Sequence, residues 1–270
     1  MTKLYRQKLR KDSWGNFTVL RHNAFDGMLV TSKNSGTHWL KYMLALALAE
    51  TYEIDPPEYF SEDAVRPYIS WTKDQVVHDA LPRLAFSHTI PHRLVDWGWA
   101  RQLAGLPPYV LLVRHPMQIL ASHYAKWAWD IQVDWLTYLK GEASGKRYRC
   151  DLFWLARFWH RWGVWLEKDP ARIYRVHYED LQKNPEEILT HISNHWGIGL
   201  SPASIRNAVH SASKAQMAKK IDPKAEPNVL QNRREKLSDL FKGEAYEIYA
   251  EHIAARFPRS LGYDLLTLPE

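Results

Sequence analysis

Three short runs in this chain are apolar at nearly every position rather than at every second one: Gly27 to Thr31, Leu84 to Ser87 and Tyr109 to Val113. A strand with one wet face alternates apolar and polar residues. A run without alternation is buried on both faces, as in a parallel sheet covered above and below. Arg172 to Val176 is a weaker run of the same kind, and Phe17 to Leu20 reads as a fifth strand. Helical patterns fall between the runs. Thr37 to Tyr52 sets Leu40, Met43, Leu44, Ala47 and Leu48 on one face. Pro116 to Trp129 opens on a proline, favoured in a first helical turn. Asp151 to Glu167 is rich in aromatic residues, and Asn184 to Trp196 opens on Asn-Pro-Glu-Glu. Strands alternating with helices predict an α/β fold, a central parallel sheet flanked by helices, with residues 1-270 forming one domain.

Ligands of such folds sit beyond the carboxyl ends of the strands, and the informative residues fall there. Between the first strand and the first helix runs Thr31-Ser32-Lys33-Asn34-Ser35-Gly36-Thr37-His38-Trp39. Gly36 permits close backbone approach to an oxyanion, Ser35 and Thr37 bring hydroxyls, and Lys33 brings a full charge. The free N–H groups and positive dipole end of the following helix complete an anion cradle. The alternative is a helix capped after a polar turn. No Walker A motif is present, since no Gly-Lys-Ser/Thr follows a four-residue spacer from a first glycine.

This segment is similar to the 5′-phosphosulfate loop of sulfotransferases that use 3′-phosphoadenosine 5′-phosphosulfate (PAPS), which reads Thr-Tyr-Pro-Lys-Ser-Gly-Thr-Thr-Trp. The resemblance implies a P-loop-like sulfotransferase fold, with Ser35, Gly36, Thr37 and His38 on the 5′-phosphate and Trp39 against the adenine. Aligned without a gap, the family's lysine falls on Asn34 and its proline on Lys33. That lysine serves the leaving oxygen. Lys33 is the expected replacement and Asn34 the alternative.

Further segments carry the resemblance. Arg114-His115-Pro116 ends the strand Tyr109 to Val113, and Ser122 follows eight residues after the arginine. A guanidinium fork with a hydroxyl suits a dianionic phosphate, and the family binds its 3′-phosphate with such a pair. Tyr178-Glu179-Asp180-Leu181 resembles the family segment whose tyrosine contacts adenine. Ser211 to Met217, with Ser213, is similar to an adenine-side segment, although Lys214 stands where the family has phenylalanine. Arg233 and Arg234 match the family's Arg-Lys-Gly-x-x-Gly-Asp closure over the 3′-phosphate, with Glu235 and Ser238 in place of its glycines.

Transfer to a hydroxyl needs a proton acceptor, and histidine titrates in the right range. Of 13 histidines, His88 follows the strand Leu84 to Ser87, on the ligand edge. Its context is similar to the family's Lys-Thr-His-Leu-Pro, whose histidine is the general base. Phe86 stands where many relatives carry a second lysine. The implied reaction moves a sulfuryl group from PAPS to a hydroxyl or amine of a small acceptor, without a metal. A nucleotide-binding relative that has lost turnover and a P-loop kinase-type transferase are the alternatives.

Composition narrows partners more than chemistry. A net charge of +6 suits anionic ligands, while no nucleic-acid recognition motif is present. Thirteen tryptophans, clustered from Trp127 to Trp165, supply core and pocket walls. The acceptor is expected to be partly aromatic or apolar, lined by Tyr59 to Trp71 and Tyr124 to Trp135. Glu58, Glu62, Asp63, Asp130 and Asp134 are candidates to receive a cationic group. One cysteine, Cys150, excludes an intramolecular disulfide. No run reaches the roughly 18 apolar residues of a membrane span, the start is basic and polar, and the expected location is cytoplasmic.

Overall fold

The computed structural model describes residues 16–74, 78–143, 147–222 and 235–269. Five strands form one sheet: β1 (Gly27–Thr31), β2 (Ile69–Trp71), β3 (Leu84–Ser87), β4 (Tyr109–Val113) and β5 (Ile173–His177). Their order is β2-β3-β1-β4-β5, and every pairing is parallel. β1, β3 and β4 are buried at every position, as their unbroken apolar runs require.

The principal helices are α1 (Thr37–Thr51), α2 (Pro116–Lys126), α3 (Leu152–Lys168), α4 (Tyr178–Lys183), α5 (Pro185–Trp196), α6 (Pro202–Ser211) and α7 (Glu244–Arg256). Side-chain alternation along the strands feeds two cores, one on each face. Met28, Val30, Tyr109, Leu111 and Val113 face α2, α3 and α7, where Trp159, Trp162 and Trp165 are fully buried. Leu29, Val110 and Leu112 face α1, α5 and α6. Most of the α3 tryptophans are therefore core.

Two expectations fail. Phe17 to Leu20 is not a strand; residues Phe17–Ala24 form a 3-10 helix whose N-cap, Asn16, accepts from the Thr18 amide. The edge strand Ile69–Trp71 takes the fifth place in the sheet. With only three residues it leaves too little periodicity to read. In addition, α1 is not amphipathic: Leu40 through Ala49 are all buried, because the helix is packed by α6 and the short helix Glu62–Val65 and shares a core with Leu29, Phe86 and Val110 of the sheet.

Candidate active site

The carboxyl ends of β1, β3, β4 and β5 carry the residues singled out in the sequence. After β1 the chain makes a tight loop, with Asn34 at φ 55° and Gly36 at φ 90°. Gly36 is required twice over. Left-handed backbone favours glycine, and a Cβ there would lie 2.5 Å from the Tyr178 ring. Ser35 is buried and donates to the Ser32 carbonyl. The Ser32 hydroxyl is buried without a partner. Thr37 opens α1 with its hydroxyl 2.8 Å from that of Thr31. A cradle lined by an orphaned hydroxyl and a helix N-terminus fits an oxyanion.

Arg114 leaves the end of β4 and lies over the loop. It donates to the Asn34 carbonyl at 3.2 Å, the Ser122 hydroxyl at 3.4 Å and the Gln118 side chain at 2.8 Å. Its guanidinium stacks 4.4 Å above the Tyr178 ring. Trp39 meets Tyr178 edge to face, and its indole donates to the Ala212 carbonyl. Ser213, the next residue, is exposed at the start of the helix Lys214–Lys219. The structure thus gathers Ser35, Gly36, Thr37, Trp39, Arg114, Ser122, Tyr178 and Ser213. Arg233 and Arg234 lie outside the described residues.

His88 sits just past β3, across β1 from Arg114. Its Nδ1 lies 2.8 Å from the Thr31 carbonyl and 3.1 Å from the Thr31 hydroxyl. A carbonyl only accepts, so Nδ1 carries the proton and Nε2 keeps its lone pair. Desolvation lowers the ring's pKa to about 4, against the Thr31 hydrogen bond, and the charges of Lys33, His38 and Lys41 lower it further. The imidazole is neutral at pH 7.

Lys33 and Asn34 face different neighbours. The Lys33 ammonium donates to the Arg149 carbonyl and lies 4.9 Å over the Trp154 ring. Burial lowers its pKa. The Asn34 amide lies 2.7 Å from His123 Nδ1, and desolvation holds that ring near 3.

Lys41, His177 and Tyr263, which the sequence reading passed over, build the surroundings together with acids it named. Lys41 of α1 is buried, its ammonium 3.5 Å from the Phe86 ring centre and 2.6 Å from Glu62. His38 reaches the other Glu62 oxygen at 3.2 Å. Burial opposes the Glu62 charge, yet His38 and Lys41 hold the carboxyl near 2. Glu62 is therefore committed. Asp130 pairs with Arg149 at 3.4 Å, and Asp134 caps the helix Trp135–Lys140. A C-terminal strap closes the far side: His115 meets the Asp264 carbonyl at 3.0 Å and His177 the Leu261 carbonyl at 2.8 Å. The Tyr263 hydroxyl lies 2.7 Å from the Glu179 carboxylate and 3.1 Å from the Val113 carbonyl. These partners are far apart in sequence and carry no local motif.

A separate cleft of about 410 Å³ on the outer side of α3 holds none of the selected residues. Its Arg161 is paired with Asp96 and its Arg259 with Glu167. Among the described residues no cluster has the make-up of a metal site, and no helix is long and apolar enough to cross a membrane. Cys150 is buried, its thiol pushed up to about 12 by desolvation.

A family model described as the sulfotransferase domain matches residues 25–243. Among solved structures, the mouse sulfotransferase SULT7A1 in complex with PAP is similar at a TM-score of 0.51 and 14% identity, over 92% of each chain. Retinol dehydratase in complex with retinol and PAP is similar at a TM-score of 0.50 and 13% identity, over 96% of this chain and 97% of that one. At such identities the likeness is one of fold. No curated protein sequence matches the chain closely enough to count as a relative.

Proposed function

The chain belongs to the sulfotransferase domain family, an enzyme family that transfers a sulfuryl group from PAPS, and from that premise we propose the roles its residues play. The loop from Ser32 to Thr37, with the amide groups opening α1 and His38 beside them, holds the 5′-phosphate. Arg114 and Ser122 clamp the 3′-phosphate of the nucleotide product, adenosine 3′,5′-bisphosphate (PAP). Trp39, Tyr178 and Ser213 border the adenine, and Arg233 and Arg234 are assigned to the same 3′-phosphate by resemblance. The two cores share one sheet, which supports reading residues 1-270 as a single domain.

The observation that carries the catalytic assignment is the His88 tautomer. With Nδ1–H donated to the Thr31 carbonyl, Nε2 is free to take a proton from the acceptor hydroxyl. PAPS supplies the sulfuryl group as its bond to the bridging oxygen breaks and the acceptor oxygen bonds to sulfur. His88 removes the proton that this attack releases. The leaving side is served by preorganised donors aimed at developing charge. We assign that part to Asn34, Thr37 and the α1 amides ahead of Lys33, whose ammonium is directed to Arg149 and Trp154. The acceptor is a small molecule with an aromatic or apolar part, lying between His88 and the aromatic segment Tyr124 to Trp135.

Calorimetric titration with PAP, followed by transfer from labelled PAPS to a panel of phenols, tests this reading. Saturable PAP binding and PAPS-dependent label transfer are expected. Binding of ATP in preference to PAP would overturn it.

A further inference from the structure

Resting on that reading, we propose that the acceptor carries an anionic group on an aromatic body, received between Lys33 and Arg149 beside Trp127 and Trp154.

The observations come from three elements that meet next to the phosphate loop. Lys33 places its ammonium against a backbone carbonyl and a Trp154 ring face, and among the described residues no carboxylate pairs with it. Arg149, whose carbonyl it meets, lays its own guanidinium 4.3 Å over the Trp127 ring. The Lys126 ammonium lies 5.7 Å from the centre of the same ring. Against these three cations stand two carboxylates: exposed Asp130, 3.4 Å from Arg149, and buried Asp151, which acts on Lys33 but is held by the Trp154 amide as the cap of α3.

This cluster faces the chemistry. Lys33 acts on His88, and Lys33, Lys126 and Arg149 together act on His123, whose ring meets Asn34. Like charges gathered around a desolvated ammonium repel one another, and an incoming anion relieves that repulsion. Trp127 and Trp154 are both half-buried and offer flat faces for an aromatic body. Three of the five acids that would instead favour a cationic acceptor are committed: Glu62 to Lys41 and His38, Asp134 to a helix cap, Asp130 to Arg149; the other two, Glu58 and Asp63, are exposed.

Three matched phenols test the proposal: 4-hydroxyphenylacetate, 4-methylphenol and tyramine share the reacting hydroxyl and differ in charge. At neutral pH and low salt, kcat/KM for the anionic phenol should exceed that for 4-methylphenol by about tenfold or more, as charge-assisted hydrogen bonds imply. Tyramine should come last. Arg149→Gln and Lys33→Gln should each bring the anionic-to-neutral ratio toward one. A preference for 4-methylphenol or tyramine overturns the proposal. So does a rise in the KM for PAPS that is equal for all three phenols, because the cations would then serve the donor. Calorimetric binding of the same phenols to the PAP complex gives the ranking without turnover. If PAP binds and no anionic preference appears, this proposal alone falls; if PAP does not bind, the nucleotide reading falls with it.

Discussion

Desolvation holds the His88 imidazole at about 4, and the sign of the consequence follows. Below that value the ring is protonated and useless as a base; above it the neutral form persists. The acid limb of kcat/KM should therefore lie well below the ordinary histidine value of about 6.5, with a flat profile from pH 6 to 8. A limb at or above 6.5 would count against His88. Its replacement by Asn should lower turnover by about 10² or more while PAP affinity stays within a factor of two, since the base meets the acceptor alone. Arg114 gives the converse pattern. Arg114→Ala should weaken PAP by about 2–5 kcal/mol, the usual cost of breaking a buried charge pair, measured by calorimetry. Both residues were visible in the sequence because each ends a readable strand. Lys41 was not. Its place over Phe86 depends on how α1 packs across β3, and nothing local to either segment encodes that crossing.

Among the elements, the β1 loop and α1 form the tightest unit. Gly36→Ala would push a methyl group into the Tyr178 ring and force alanine into left-handed backbone. A cost of about 1 kcal/mol from conformation alone is expected, and more from the clash. Thermal unfolding should show this loss, and PAP affinity should fall at the same time because Tyr178 and Arg114 must shift. A variant with full stability and weakened PAP binding would separate the two effects. The loop was legible because a glycine between hydroxyl residues at a strand-to-helix junction has few other uses. Four of the long helices were legible too, with α1 and α3 placed to within a residue or two, while α6 and α7 were not read. The strand predicted at Phe17 failed because Asn16 caps a 3-10 turn there, a local hydrogen bond that outweighs a short apolar run. The buried circumference of α1 was also missed: periodicity reports one apolar face, while tertiary contacts decide how many faces are covered.

For the molecule as a whole, ligand and acid should act in opposite directions on stability. PAP at about 100 times its dissociation constant should add about 2.7 kcal/mol, a rise of several degrees in Tm for a chain of this size. His22, His88, His123 and His252 are all held at or below about 4 by burial. Unfolding exposes them to their ordinary value near 6.5, so the unfolded chain takes up more protons between those limits. Stability is complete above pH 6.5 and is lost progressively toward pH 4, which scanning calorimetry across that range would register as a falling Tm. The strap from Leu261 to Asp264 gives the fold a chronology. Thr31, His88, Arg114 and Tyr178 are all synthesised long before Tyr263, yet the ends of β4 and β5 are pinned by Tyr263 and its neighbours. While residue 263 is still inside the ribosome, a growing chain can hold the first 200 residues of this architecture with those strand ends unfastened. The nucleotide clamp is then among the last parts of the protein to become firm.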